Sequence, residues 1–156
     1  MQPSPADTRH RGAAEPETLQ RPVAEALADI GPAVEWADGW AAAAGLDETV
    51  RFAIQICLEE ALANLILHAR PVGDSKEIEV GFAADAAGAT VIVSDRCQPF
   101  DMTVTAIPDL PSPADMQEGG QGLRLVHHFS TELSYRSLDG RNELRMGFRP
   151  NRAAAT

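Results

Sequence analysis

The sequence is poor in three things, and each shortage excludes a class of protein. Lys and Arg number 13 against 23 Asp and Glu, a formal net charge of −10. A nucleic-acid backbone is held by clustered cations, so direct nucleic-acid binding is not expected. The same deficit does not exclude a small phosphorylated ligand, because a helix N-terminus and a divalent cation neutralise phosphate locally. Cysteine is nearly absent: Cys57 and Cys97 are the two in the chain. They lack the paired spacing of a zinc site or disulfide framework and read as free thiols in a reducing compartment. No apolar run approaches the roughly 20 residues that span a bilayer, and the opening MQPSPADTRHRGAAEPETLQRP lacks the apolar block of a secretory signal. A cytoplasmic protein without membrane contact is expected.

What remains suffices for one domain. The chain has 156 residues, 44% of them hydrophobic, enough for a substantial core. Residues 1–20 carry almost no large apolar side chain and are expected to be a disordered tail. The domain is expected over 21–150, with a short tail at 151–156. From Val23 to Ala44 apolar residues such as Leu27, Ile30, Val34 and Ala41 recur at helical spacing, with Gly31-Pro32 as a break or restart. Asp47 is a plausible N-cap for a long helix over 48–69, with Phe52, Leu58, Leu62, Leu65 and Ile66 available for the core. Pro71 ends it. The period then changes to two: Ile78, Val80 and Phe82 alternate with polar or small residues, and 89–94 form a second, more buried strand, so a hairpin is expected. An irregular, proline-containing stretch over 96–118 leads to a glycine cluster and a short helix over 123–129. Two last strands flank Asp139-Gly140, the pair that a tight type I′ hairpin turn favours. This order predicts an α+β two-layer sandwich, with helices on one face of a mostly antiparallel, mixed sheet.

Three constellations within this frame have the chemistry for a site. Glu60, Asn64 and His68 stand four apart on the long helix, offset by about 40° per step, and so line one edge. They are either the solvated margin of an apolar face or, for the Glu and Asn, oxygen groups that can share a hard cation. Asp95 ends the second buried strand, where it either starts an Asx turn or accepts hydrogen bonds from a ligand amine. Gly119, Gly120 and Gly122 sit before the short helix, either as a flexible linker or as a backbone cradle for phosphate.

In this order the three stretches resemble the N, G1 and G2 boxes of the GHKL ATPases, which share the histidine-kinase-like (Bergerat) ATP-binding fold. They are most similar to those of the anti-sigma-factor serine/threonine kinases. The stretches are Glu60-Ala61-Leu62-Ala63-Asn64-Leu65-Ile66-Leu67-His68-Ala69, Asp95-Arg96-Cys97-Gln98-Pro99-Phe100-Asp101 and Gly119-Gly120-Gln121-Gly122-Leu123. The resemblance implies an ATP-Mg²⁺ site. In it Asn64 holds the metal, Glu60 accepts or orients the proton of an attacking serine hydroxyl, and Asp95 recognises the adenine amine. Cys97 and Phe100 then belong to the base site, Gly119, Gly120, Gly122 and Leu123 to the phosphate turn, and 102–118 to a lid. No role carries over to His68. The resemblance further implies a small antagonist protein as phosphoryl acceptor, a sigma factor as competing partner, and a homodimer.

Two positions depart from the family pattern. Cys97 stands where the family has glycine, a substitution that would narrow or tilt the base site. Residues 101–121 contain no Lys or Arg, where the family's lid has a basic residue, leaving Arg124 as a substitute. Both departures favour a second reading, a GHKL-fold binding module that sequesters a partner without phosphoryl transfer. Cys97, beside Arg96, is also a candidate for a lowered pKa and a thiol response.

Overall fold

The longest helix begins where Asp47 accepts the Val50 backbone N–H at 2.9 Å, satisfying one of the donors that a helix start leaves free. In the computed structural model, which describes residues 19–85, 87–103 and 121–150, this helix is α2, Glu48–His68, preceded by α1, Ile30–Ala43. Its buried side chains, Val50, Ala53, Ile54, Cys57, Leu58, Ala61 and Leu62, recur at intervals of three and four, so one face enters the core. Burying Ile54, Leu58 and Leu62 stabilises the fold by about 1.5–3 kcal/mol each. Phe52, expected in the core, is instead 52% exposed. It lies off the buried face, and its ring meets Phe129 edge-on at 5.8 Å. Arg51 clasps Asp38 of α1 through two hydrogen bonds of 2.8 Å each.

Five strands form the second layer: β1 (Leu19–Val23), β2 (Ile78–Asp85), β3 (Gly88–Asp95), β4 (Glu132–Leu138) and β5 (Arg141–Phe148). Their order is β1-β2-β3-β5-β4, and every pairing is antiparallel rather than mixed. Helix α3, Gln121–Phe129, precedes β4, which takes the edge, and the β4–β5 turn brings β5 back beside β3. That turn has positive φ at Asp139 (53°) and Gly140 (76°), as an Asp-Gly type I′ turn requires. Val80, Phe82, Val91, Val93, Leu144, Met146 and Phe148 are buried together with the α2 face and Val126 of α3.

The N-terminal part departs from expectation. The strand β1 starts at Leu19, inside the expected tail, and takes in Val23, expected to open a helix. An edge strand tolerates Pro22 and buries only Val23, so neither composition nor alternation announces it. Gly31-Pro32 does not break α1 but lies in its first turn, where a missing N–H costs nothing. Leu27, in a one-turn 3₁₀ segment, is exposed.

Candidate functional site

The C-terminal half of α2 and the ends of β3 and β5 enclose a cavity of about 460 Å³, a size suited to a small organic ligand. Asn64 and His68 border it from α2, Asp95 from β3, Phe100 and Met102 from the loop after β3, Leu123 from α3, and Tyr135 and Asn142 from β4 and β5. Val93, Leu144 and Leu65 complete apolar walls on which a flat ring can lie.

Asp95 is buried and fixed at its place. Its Oδ1 accepts the Cys97 N–H at 2.8 Å, closing an Asx turn, and one Asn142 Nδ2 hydrogen at 2.8 Å. Asn142 stands directly opposite Asp95 in the β3–β5 register and donates its other amide hydrogen to the Cys97 carbonyl at 2.8 Å. The two alternatives for Asp95, turn former or ligand group, are therefore not exclusive: Oδ1 makes the turn while the residue borders the cavity.

The loop that follows is pinned on both sides. Tyr135 accepts the Phe100 N–H at its hydroxyl, 3.1 Å away, and burial pushes its phenol pKa up. Asp101 accepts the Thr103 N–H at 2.8 Å, and His127 Nε2 lies 3.2 Å from the Met102 carbonyl. Phe100, 55% exposed, borders the cavity from the rim.

A backbone seam joins the two walls. Pro71 and Cys97 form an antiparallel bridge, Gln98 N–H donates to the Arg70 carbonyl at 2.8 Å, and Arg96 N–H donates to the Lys76 carbonyl at 2.7 Å. Lys76 then turns its ammonium back to the end of α2, donating to the carbonyls of Leu65 and Ile66 at 2.9 and 2.8 Å. The Leu65 carbonyl also accepts the Ala69 N–H at 3.2 Å, and the lysine adds a charged donor at this helix end, serving as a C-cap.

The residues picked out in the sequence divide into three groups. Asn64, Asp95, Phe100 and Leu123 border one cavity. Glu60 and Cys97 do not border it. Glu60 lies one turn before Asn64, half-buried, and burial followed by the charge of Glu59 raises its carboxyl pKa. The Cys97 side chain is buried, and its backbone N–H and carbonyl bind Asp95 and Asn142 beside the cavity. Its pKa is pushed up to about 12, first by burial and then by Asp95. The lowered pKa expected beside Arg96 is not found, since burial and Asp95 act in the other direction, and the Arg96 guanidinium pairs with Glu77 at 2.6 Å. Gly119 and Gly120, and all but the first two residues of the expected lid, lie outside the described residues; Gly122 is in the first turn of α3.

Sequence reading missed Asn142, Tyr135, Met102 and Arg70. Asn142 and Tyr135 follow from strand register, which a sequence does not carry in advance. Arg70 had a signal, since it follows the polar stripe by two residues. It borders the cavity, whereas Arg124 does not, and it makes no ion pair among the described residues.

Residues 23–148 match the family model of the histidine kinase-like ATPase domain. The serine/threonine-protein kinase BtrW of Bordetella bronchiseptica is 35% identical over 96 residues, which cover 61% of this chain and 68% of that protein. A crystal structure of the RsbU and RsbW domains of a Mycobacterium tuberculosis protein matches with a TM-score of 0.58 and 16% identity, over 85% of this chain. The match spans 32% of that longer protein and is a likeness of fold.

Proposed function

This chain belongs to the histidine kinase-like ATPase domain family, and from that membership we propose that it is an anti-sigma-factor-type serine/threonine kinase using ATP and Mg²⁺. The domain is taken as 21–150, extended to Leu19 by β1. The observation that carries the reading is the convergence of Asn64 and Asp95, from separate elements, on one cavity.

The residues present fit the nucleotide. Asp95 is a buried acceptor at the floor, suited to an exocyclic amine. Val93, Leu144 and Leu123 offer apolar surface to a base. Asn64 presents a side-chain oxygen of the kind a hard cation takes, and Arg70 brings a cation to a protein that is otherwise strongly acidic. Gly119, Gly120 and Gly122 are assigned to the phosphate turn. Bound Mg²⁺-ATP supplies the γ-phosphoryl group and the metal that neutralises charge on it. The chain's own contribution is positioning: Asp95 orients the base, Asn64 fixes the metal's place, and Glu60 takes or orients the proton of the acceptor hydroxyl.

The acceptor is a serine or threonine on a small antagonist protein, with a sigma factor competing for the same kinase in the cytoplasm and a homodimer as the working unit. BtrW, named as a serine/threonine-protein kinase, supports the phosphotransfer, and the likeness to the RsbU and RsbW domain structure supports the fold that carries it. The test is transfer of labelled phosphate from ATP to an antagonist of this type. Wild type transfers, and Glu60→Gln loses about a hundredfold or more while still binding ATP. Glu60 lies outside the cavity lining, which favours the sequestering module, as does the absence of Lys and Arg from residues 101–121. ATP binding with no transfer from the wild type would establish that module instead.

A further inference from the structure

The sheet has two outer strands, and the sequence blunts only one of them. β1 is five residues long and holds Pro22, whose missing N–H weakens an edge as a template for pairing. β4, Glu132–Leu138, is longer and contains neither proline nor lysine, and its one-to-one register with β5 leaves no bulge. Beyond β4 the described residues supply no further strand. The two-residue Asp139-Gly140 turn makes Leu138 and Arg141 a mutually bonded pair. Every second pair repeats that pattern, so Arg136, Ser134 and Glu132 direct their backbone groups to β5. The N–H and C=O groups of Leu133, Tyr135 and Ser137 therefore face the open edge.

The side chains of this edge are complementary to themselves. Glu132, Ser134 and Arg136 share the exposed face of the sheet, while Leu133 and Tyr135 are half-buried on the core side. The Glu132 and Arg136 side chains, 65% and 67% exposed, flank Ser134 symmetrically and are of opposite sign. An antiparallel pairing of β4 with the β4 of a second copy, centred on Ser134, sets each Glu132 across from the partner's Arg136. The same register bonds Leu133 to the partner's Tyr135 through backbone groups that already face the edge. Their present ion-pair partners, Arg149 and Glu143, lie on the β5 side, so acidic and basic groups alternate across the junction. Centring the pairing on Arg136 would oppose two arginines, and centring it on Tyr135 would leave both charges without a counter-charge.

We propose that the β4 edge is the interface between two copies of this chain, joined by antiparallel β4–β4 pairing centred on Ser134. This rests on the homodimer reading given above and supplies its geometry. It also sets the partner's Leu133 across from Tyr135, whose hydroxyl holds the Phe100 N–H at the cavity rim. The second copy thereby braces one wall of the site.

Sedimentation velocity of the full chain over a range of concentrations tests it. The wild type dimerises. Arg136→Glu and Glu132→Arg each put two like-charged pairs at the junction, and each weakens self-association about tenfold or more. An equimolar mixture of the two variants recovers a dimer within about threefold of the wild-type affinity, because every charge pair across the junction is then of opposite sign. Variants that dimerise as tightly as the wild type, or a mixture that stays monomeric, overturn the β4 interface and leave the homodimer reading standing. A wild type that is monomeric up to about 1 mM overturns both. Should either variant fail to fold, amide hydrogen exchange of the wild type decides. The Leu133 and Tyr135 amides gain about tenfold or more protection at concentrations that favour the dimer. A dimer in which these two amides stay as unprotected as in the monomer overturns the interface.

Discussion

Glu59 and Glu60 are adjacent on α2 and chemically identical, yet only Glu60 is partly withdrawn from water. Burial raises the Glu60 pKa, and the neighbouring Glu59 charge adds to it. A carboxylate whose folded pKa lies above its unfolded value favours the native state when protonated. Its contribution therefore declines as pH rises through that interval. Catalysis has the opposite sign, because a proton acceptor works only when ionised. The acid limb of the kcat/KM profile for phosphotransfer is therefore expected above the ordinary glutamate range, and Glu59→Gln should move it downward by removing one of the two causes. A limb that stays in place in Glu59→Gln would remove Glu60 from the proton step. The polar stripe that contains Glu60 was legible in the sequence because residues four apart on a helix share an edge whatever the tertiary structure. Asn142 and Tyr135 were not, since each reaches the cavity through sheet register. The burial of Cys97 was equally hidden: its surroundings are Asp95 and Asn142, the latter 45 positions away.

At the scale of elements, the site depends on how the end of α2 is held against the end of β3. Four of the contacts that do this involve one short segment, 70–76, which follows the helix: the Pro71–Cys97 bridge, the Gln98 and Arg96 backbone bonds, and the Lys76 ammonium on the last carbonyls of α2. Lys76 is in turn tethered by Glu25, whose carboxylate accepts from the Lys76 N–H and the Ser75 hydroxyl. Lys76→Met keeps the length of the side chain and removes the cap. It is expected to lower stability by about 1–2 kcal/mol, the range for a partly buried cation at a helix C-terminus. Because Asn64 lies within the last turns of α2, the same change should weaken ATP-Mg²⁺ binding more than ATP binding without the metal, while Lys76→Arg recovers most of the difference. Equal losses with and without Mg²⁺ would make Lys76 a purely structural cap. Most elements themselves were legible: α2 from its N-cap and unbroken periodicity, β2, β3 and β5 from alternation, and the last turn from Asp139-Gly140. The strand β1 was not, for its place is decided by pairing of Leu19 to Val23 with Phe82 to Ile78, a contact made across more than fifty residues of chain.

For the whole molecule, the charge of −10 has two consequences. It disfavours the compact state through self-repulsion, and it disfavours approach of a triphosphate unless a cation accompanies it. Mg²⁺-ATP bound to the native state alone therefore stabilises the fold by mass action, whereas ATP with a chelator present should do so far less. At a free ligand concentration one hundred times its Kd the gain is about 2.7 kcal/mol. For a chain of this length that corresponds to a rise in Tm of about 5–10 °C. Asp95→Asn provides the control that ties the rise to the cavity. The new amide oxygen can still accept from Cys97 and Asn142, so the Asx turn and the β3–β5 register are retained, but the carboxylate that an amine would meet is gone. A normal Tm without ligand and a rise of less than about 2 °C at the same Mg²⁺-ATP concentration is expected for this variant. If Asp95→Asn is stabilised as much as the wild type, the nucleotide sits elsewhere, and the convergence of Asn64 and Asp95 on one cavity is a matter of packing alone.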